Sequence, residues 1–548
     1  MSSGYRAGGK RGRVTAALAA SVLIAATLVA CSNDESTSTT DGTLTMATWS
    51  ATTSLDPTEV AGTGNSSGHE LSALYDTIMR YNAETGEYEP QTAESLTPNE
   101  DFTQWTLKLR PGIKFADGTD YNAHAVVASM KRHVEKRSRT SSLITPITDY
   151  QTPDDLTVIF TLAFPWNGFP FALASTPGMI VSPTAVEKLG DDLGLNPVGA
   201  GAGPFVIESF RPNESVTMTR NPNYWGGPVK LERLRFIFAG TGPQTYEAFR
   251  AGTVDVAFLR DAAAIADAQA DGVSGFVQHS SANDTLIMNN GITVVCQGGE
   301  PAPKCTDQPD GTEIPSTSPT RDVRVRQAVA AAIDLETLNQ RVYGGHGVMT
   351  TDLIAPQSRW YAGVSGPKYD IEKARELVAQ AKADGWDGTI RVSCHTGLPT
   401  WGTAVKGMLE AAGFEVKLTD QQEIAANTSA VIVRKDYDIA CFGSTIVDAE
   451  PFFALNRDFN SEFVKTGGGN YSGYINPEVD AAIAEGRAAK DEAGIKAAIT
   501  KIAEAYSRDV PWLALTAQPE TIIVADHVKG LKLNANTVLM FHEAELSS

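Results

Sequence analysis

Cysteine is scarce, with five residues in a chain of 548. No CxxC pair and no HExxH helix motif occurs, which excludes a zinc ribbon, a redox dithiol of the usual spacing and a zinc-protease signature. The eight histidines are scattered, so the sequence points to no metal site and no cofactor. Basic charge is in deficit: 45 Lys and Arg stand against 65 Asp and Glu, a net charge of −20. Such a chain repels phosphate backbones, and nucleic acid is not an expected partner. Beyond residue 30 there is no run of about 18 apolar residues, the length a membrane helix needs, so the body should not cross a membrane. No repeat of solenoid period is visible. With 20% charged residues and 42% hydrophobic ones, collagen, coiled coil and wholesale disorder are excluded as well. Length gives a soft prior of about three to four domain-sized units, enough to bury a core without disulfide or metal staples.

The N-terminus has its own pattern. Residues 1–13 carry Arg6, Lys10, Arg11 and Arg13 and no acid. An Ala/Val/Leu-rich run follows and ends Leu28-Val29-Ala30-Cys31-Ser32. A basic head, an apolar stretch and small residues before a break read as a signal peptide over 1–30. The ending resembles the lipobox of bacterial lipoproteins, which implies that Cys31 becomes the first mature residue and carries lipid. Residues 31–42 are polar and Ser/Thr-rich and read as a flexible tether. The expected location is therefore the outer face of the cytoplasmic membrane or the periplasm, with the lipid as anchor. With Cys31 lipidated, four cysteines remain, an even number in an exported protein. Cys296 and Cys305 flank a short Gly/Pro loop and are expected to pair.

The body reads as mixed α/β. Alternation at Trp105, Leu107, Leu109, at Leu156, Val158, Phe160, Leu162 and at Leu234, Phe236, Phe238 predicts strands. Helical spacing appears at Leu71, Leu74, Ile78, at Val126, Val127, Met130, Val134, and from Ile371 to Ala381 behind an Asp370 N-cap and before a Gly385 stop. Asn476-Pro477 opens another helix. Residues 297–319 are Pro/Gly-rich and polar and read as a surface insertion. From Thr389 the order is strand to Cys394, helix 403–412, strand 414–418, helix about 423–433, strand 437–442. That is a βαβαβ unit with parallel strands. Ligands in such sheets sit beyond the carboxyl ends of the strands, so the segments after Cys394 and Phe442 should face a cleft. The outer strands of the unit should neighbour each other, which puts Cys394 beside Cys441. A disulfide and a pair of buried thiols both fit that placement.

Leu55-Asp56-Pro57, the stretch from Leu74 to Arg132, Asn196-Pro197-Val198-Gly199, Arg220-Asn221-Pro222-Asn223-Tyr224-Trp225-Gly226, Ala251 to Asp255 and Asp322 to Ala328 resemble, in order, the family 5 extracellular solute-binding proteins of ABC importers. Matches run from about residue 44 to 530. The local physics of these motifs is turn formation and packing, so they identify the scaffold and not the solute. The resemblance implies an α/β, two-lobed periplasmic-binding-protein-like fold of type II, of the large class with an extra subdomain in the first lobe. Lobe 1 would span 43–281 with a return at 521–548, and lobe 2 would span 282–520. It further implies binding and delivery to a permease and its ATPase, with no catalytic residue, by a monomer.

Peptide binders of this family usually fix the peptide amine with an Asp in a loop like Gly-Trp-x-x-Asp-x-x-Asp-Pro. Here the loop reads Gly443 to Pro451, with Ser444 at the Trp position and Val447 at the Asp position. Asp448 lies one residue late and would have to take over. Cys441 stands where an Arg for the peptide carboxylate can occur. A peptide is the expected solute on this resemblance; a sugar, a metal chelate or another small molecule is the alternative. Trp49, Trp401 and Tyr361 follow predicted strands or lie in cleft-side loops, where they could stack on a solute or pack into the core or rim. His395 and Asn289, the latter on the crossing strand 285–290, complete the candidate contacts. The basic run Met130–Arg139 reads as a solvated helix face, or as a contact for anionic headgroups or the permease. Two other functions compete with this reading: a receptor that senses solute without transport, and a serine hydrolase. Gly64-Asn65-Ser66-Ser67-Gly68 matches GxSxG, but a nucleophile elbow needs a buried strand directly before it, and 56–63 does not read as one.

Overall fold

The computed structural model describes residues 42–296, 305–395, 400–419, 423–466 and 468–547. Cys31, the signal segment and most of the tether lie outside the described residues, as does part of the 297–319 insertion. No helix among the described residues is long and apolar enough to cross a membrane.

Three sheets organise the body. The first has seven strands, with Thr43–Thr48 at its centre, parallel to Arg233–Phe238 on one side and Val256–Leu259 on the other. Ser215–Arg220 and Phe205–Arg211 extend it antiparallel beyond Arg233–Phe238. On the other flank, Glu520–Val524 lies between Val256–Leu259 and Gly275–Gln278, antiparallel to both. The second sheet has four antiparallel strands in the order Ala93–Pro98, Gln104–Leu109, Thr157–Leu162, Ile147–Asp154. Its inward residues Trp105, Leu107, Leu109, Val158 and Phe160 are the alternating ones of the sequence and are all buried.

The third sheet has five strands, ordered Glu415–Leu418, Thr389–Ser393, Ile439–Phe442, Thr285–Met288, Trp512–Ala514. The first three are parallel, as the βαβαβ reading requires, and the last two run antiparallel to their neighbours. Arg391 ties two parallel strands together by donating its backbone N–H (3.0 Å) and Nη2 (3.1 Å) to Asp438. Helices Ile371–Ala383 and Pro477–Arg487 begin where their caps predict: Asp370 accepts from Lys373 N at 3.0 Å, and Asn476 accepts from Glu478 N at 2.9 Å. Each side chain satisfies a backbone donor that the first helical turn leaves free.

The helix expected to carry Leu71, Leu74 and Ile78 stops early. It spans Gly68–Tyr75, and Asp76 follows with a positive φ of 62° and an extended ψ. Ile78 is buried all the same, in the core under the four-stranded sheet. The Asp56 motif is a structural clamp: Asp56 accepts Arg132 Nη1 at 2.7 Å and Thr58 N at 2.9 Å. Burial works against the Asp56 carboxylate's charge, but Arg132 and Thr58 outweigh it and hold the group below the ordinary range.

Candidate functional site

The seven-stranded and five-stranded sheets are connected by two crossings, residues 279–284 outward and 515–519 back. These segments bond to each other. Asn283 N donates to Thr516 O at 3.1 Å, and Leu515 N donates to Asp284 O at 2.9 Å. The Asp284 carboxylate accepts Thr516 Oγ1 at 3.0 Å and Tyr343 Oη at 2.9 Å. Burial pushes its pKa up, and the fields of Arg260 and His395 oppose that. The carboxyl end of Ile439–Phe442 runs straight into this ribbon. Ser444 N and Thr445 N donate to Ala282 O at 3.2 and 3.1 Å, and Ile446–Val447 pairs with Ser280–Ser281.

The expected contacts divide on this geometry. Trp49 stays a candidate: it is half-buried, with the Arg260 guanidinium 5.8 Å from its ring centroid, and Arg260 pairs with Glu520 at 3.1 Å. His395 is half-buried beside Trp401, and burial lowers its pKa. Trp401 itself is fully buried in the core of the five-stranded sheet and cannot stack on a solute. It opens the helix Trp401–Ala411, and that helix packs its ring inward. Asn289 is also not a contact. Its Oδ1 accepts Gly291 N and Ile292 N, each at 3.0 Å, and its Nδ2 donates to Tyr437 O at 3.2 Å, so it holds a turn. Cys441 is joined to Cys394 beneath the sheet, with neither exposed. Cys296 is joined to Cys305 at the base of the insertion.

The loop after Phe442 is occupied by structural bonds. Ser444 Oγ bonds to the Asp458 carboxylate, and its carbonyl accepts Arg457 Nη2 at 2.7 Å. Val447 packs against the core of the four-stranded sheet. Asp448 does not present a free carboxylate as an amine anchor: Ser358 Oγ donates to it at 2.5 Å and Arg359 N at 3.3 Å, while its carbonyl receives Trp360 Nε1 at 2.8 Å. Burial raises its pKa, and these two donors pull it back. Ser66 sits in a turn, with its N–H bonded to Thr63 O at 2.8 Å, and the preceding strand ends as far back as Thr48. His69 nearby is fully buried, and its Nδ1 accepts Leu539 N at 3.0 Å. Among the described residues no three His, Cys, Asp or Glu side chains are placed to hold a metal ion.

A cavity of about 730 Å³ lies between residues 139–166 and the helix Pro451–Phe459. Phe164, Trp166, Phe453 and Tyr471 line it with rings, and Arg139, Arg457 and Arg487 bring charge. Beside it the two sides lock together. Trp166 Nε1 donates to Glu450 Oε1 at 3.1 Å, Tyr88 Oη to Ala449 O at 2.8 Å, and Asn167 Nδ2 to Ala489 O at 2.8 Å. A Cβ on Gly168 would overlap the Glu450 carboxylate, so a larger residue there would displace that side chain. Burial lifts the Glu450 pKa to about 7, against the opposing bond from Trp166 and the field of Arg487. The sequence reading missed this group. Its members come from four distant segments, and the only local signal was the basic run ending at Arg139.

Comparison with known proteins places this architecture. The model of bacterial extracellular solute-binding proteins, family 5, matches residues 87–465. The chain belongs to that family. The glutathione-binding protein GsiB of Shigella flexneri is 25% identical over 467 residues, covering 83% of this chain and 85% of that protein. Among solved structures, the periplasmic binding protein DppA of Helicobacter pylori in complex with peptide STSA superposes with a TM-score of 0.72 at 20% identity, covering 92% of this chain and 98% of its own. The PBP AgaA from A. tumefaciens R10, in complex with agropinic acid, also gives 0.72, at 21% identity over 92% of this chain and 99% of its own. The fold is that of the periplasmic binding proteins, and the chain is a solute-binding component of an ABC importer.

Proposed function

We propose that the protein captures a short peptide or peptide-like solute outside the cytoplasm and delivers it to an ABC permease and its ATPase. Binding, and no bond cleavage, is the whole of its task. Family membership across 87–465 carries the reading, and the cargoes named for GsiB and DppA favour a peptide. In this reading lobe 1 comprises 43–281 and 521–548, lobe 2 comprises 282–520, and the paired crossings 279–284 and 515–519 are the hinge. Solute shifts the lobes toward closure only through its stronger affinity for the closed form. Residues 1–30 are removed, Cys31 carries lipid, and 31–42 tether a monomeric body to the outer face of the membrane.

Native mass spectrometry of residues 43–548, purified without added ligand, tests the cargo. A ladder of co-purified peptide masses supports the peptide reading, with affinity expected near micromolar, about −8 kcal/mol. A single non-peptide mass replaces it with another solute on the same scaffold, a reading that AgaA's complex with agropinic acid keeps in view.

A further inference from the structure

The charge of the cavity beside Glu450 runs against that of the chain. The chain has net −20, yet the residues lining this cavity include three arginines and no carboxylate. Arg457 is neutralised by Asp458, to which its Nε donates at 2.6 Å. Arg487 is not neutralised in the same way. Its Nη1 donates to a neutral amide oxygen, Asn456 Oδ1, at 3.0 Å, and its Nε is buried with no hydrogen-bond partner. Its guanidinium lies 4.0 Å from the centroid of the Phe164 ring. The carboxyl group whose field reaches it, Glu450, makes no hydrogen bond to it, and burial raises that group's pKa to about 7, so it is only partly ionised at neutral pH. Arg139 is exposed and also lines the cavity.

A half-buried cation with a buried spare donor is costly until an anion meets it, and a guanidinium meets a carboxylate with two parallel bonds. The rings of Phe164, Trp166, Phe453 and Tyr471 give the same cavity apolar walls suited to a flat or aliphatic body. Its volume, about 730 Å³, falls in the range of small-molecule sites, roughly 300–1,000 Å³.

We propose that this cavity binds a carboxylate-bearing solute, with the carboxylate on Arg487, Arg139 as a second cation, and the apolar part along Phe164, Phe453 and Tyr471. The proposal rests on the solute-capture reading and gives it a chemical class. The carboxylate can belong to a free aromatic or aliphatic acid or to the carboxyl end of a peptide.

Isothermal titration of residues 43–548 with four probes tests it: 3-phenylpropionate, 3-phenylpropionamide, the dipeptide Ala-Phe and its C-terminal amide. At least one acid is expected to bind tenfold or more tightly than its amide. R487Q should weaken that acid tenfold or more and leave the amide unchanged. R139Q should weaken it by a smaller factor and flatten its salt dependence. R375Q, on the surface helix Ile371–Ala383, should change nothing. If R487Q does not fold, R139Q and the acid/amide ratio decide. Preference for phenylpropionate over its amide identifies a free acid as the source, and preference for Ala-Phe over its amide identifies a peptide end. Equal binding of acids and amides, acid binding indifferent to both arginine variants, or no binding of any probe at millimolar concentration overturns the proposal. Peptides that bind regardless of amidation overturn it while the solute-capture reading stands. That reading fails separately, if the purified protein carries no solute and binds none from a mixed pool of peptides and small metabolites.

Discussion

Trp166 donates its indole N–H to Glu450 at 3.1 Å across 284 positions of sequence. The bond joins the strand-rich segment around residues 147–166 to the start of the helix Pro451–Phe459, and it surrounds a carboxyl group with rings and a glycine.

Glu450 should make stability depend on pH. Its ordinary value is 4.5 and burial holds it at about 7, so between those values the folded protein keeps a proton that the unfolded chain has released. The stabilisation is fully present below pH 4.5 and is lost as pH rises through 7. E450Q keeps a neutral acceptor for Trp166 and removes the titration. Urea unfolding should show E450Q and the parent alike near pH 4.5, with E450Q more stable by about 3 kcal/mol at pH 8. A parallel loss in both proteins would contradict the assignment.

Asp448 should act on stability more than on affinity. D448A removes the acceptor for Ser358 and Arg359 and should cost about 1–2 kcal/mol, measured by thermal or urea unfolding. Titration with Ala-Phe should change less than threefold. A loss of binding a hundredfold or more at unchanged stability would restore Asp448 as the amine anchor.

Trp401 belongs to the core. W401A should destabilise the protein by about 3–5 kcal/mol, the cost of a large buried cavity, and W401F by less. Calorimetry and a titration of the same variants separate this from a stacking role, in which affinity would fall first.

Arg132 and Asp56 form a buried pair, with side chains 12% and 3% exposed. R132A leaves the carboxylate buried and unpaired, at a cost of about 3 kcal/mol at pH 7. Asp56 is held below its ordinary 3.8, so its stabilising contribution is present above that value and is lost as pH falls through the folded pKa. The difference between variant and parent should therefore shrink in acid, as unfolding followed by circular dichroism would show.

Much of the scaffold was legible because its signals are local. The alternation of Trp105, Leu107 and Leu109 records one buried face. The βαβαβ unit from Thr389 to Phe442 shows because short apolar strands are punctuated by Gly388, Gly413 and Gly443. Caps at Asp370 and Asn476 announce their helices within three residues. The helix through Ile78 was misjudged because a buried apolar residue continues the helical spacing after the backbone has turned at Asp76. Trp401 stayed open between stacking and core packing because an aromatic just after a strand looks the same whether the next helix turns it inward or outward. The arginine cavity left no comparable trace. Arg139, Trp166, Glu450 and Arg487 share no periodicity, and their meeting is decided by how the sheets are placed.

The seven-stranded sheet also sets an order of events for the growing chain. Gly275–Gln278 reaches the sheet only through Glu520–Val524, which separates it from Val256–Leu259. That edge cannot assemble until residues 520–524 have been made. The intervening five-stranded sheet has all its own strands by Ala514 and can form first. The first part of the chain must then wait, with one flank unpaired, for a strand encoded almost 250 positions later. Contacts of such separation slow folding and lengthen the time that a strand edge stays open to wrong partners.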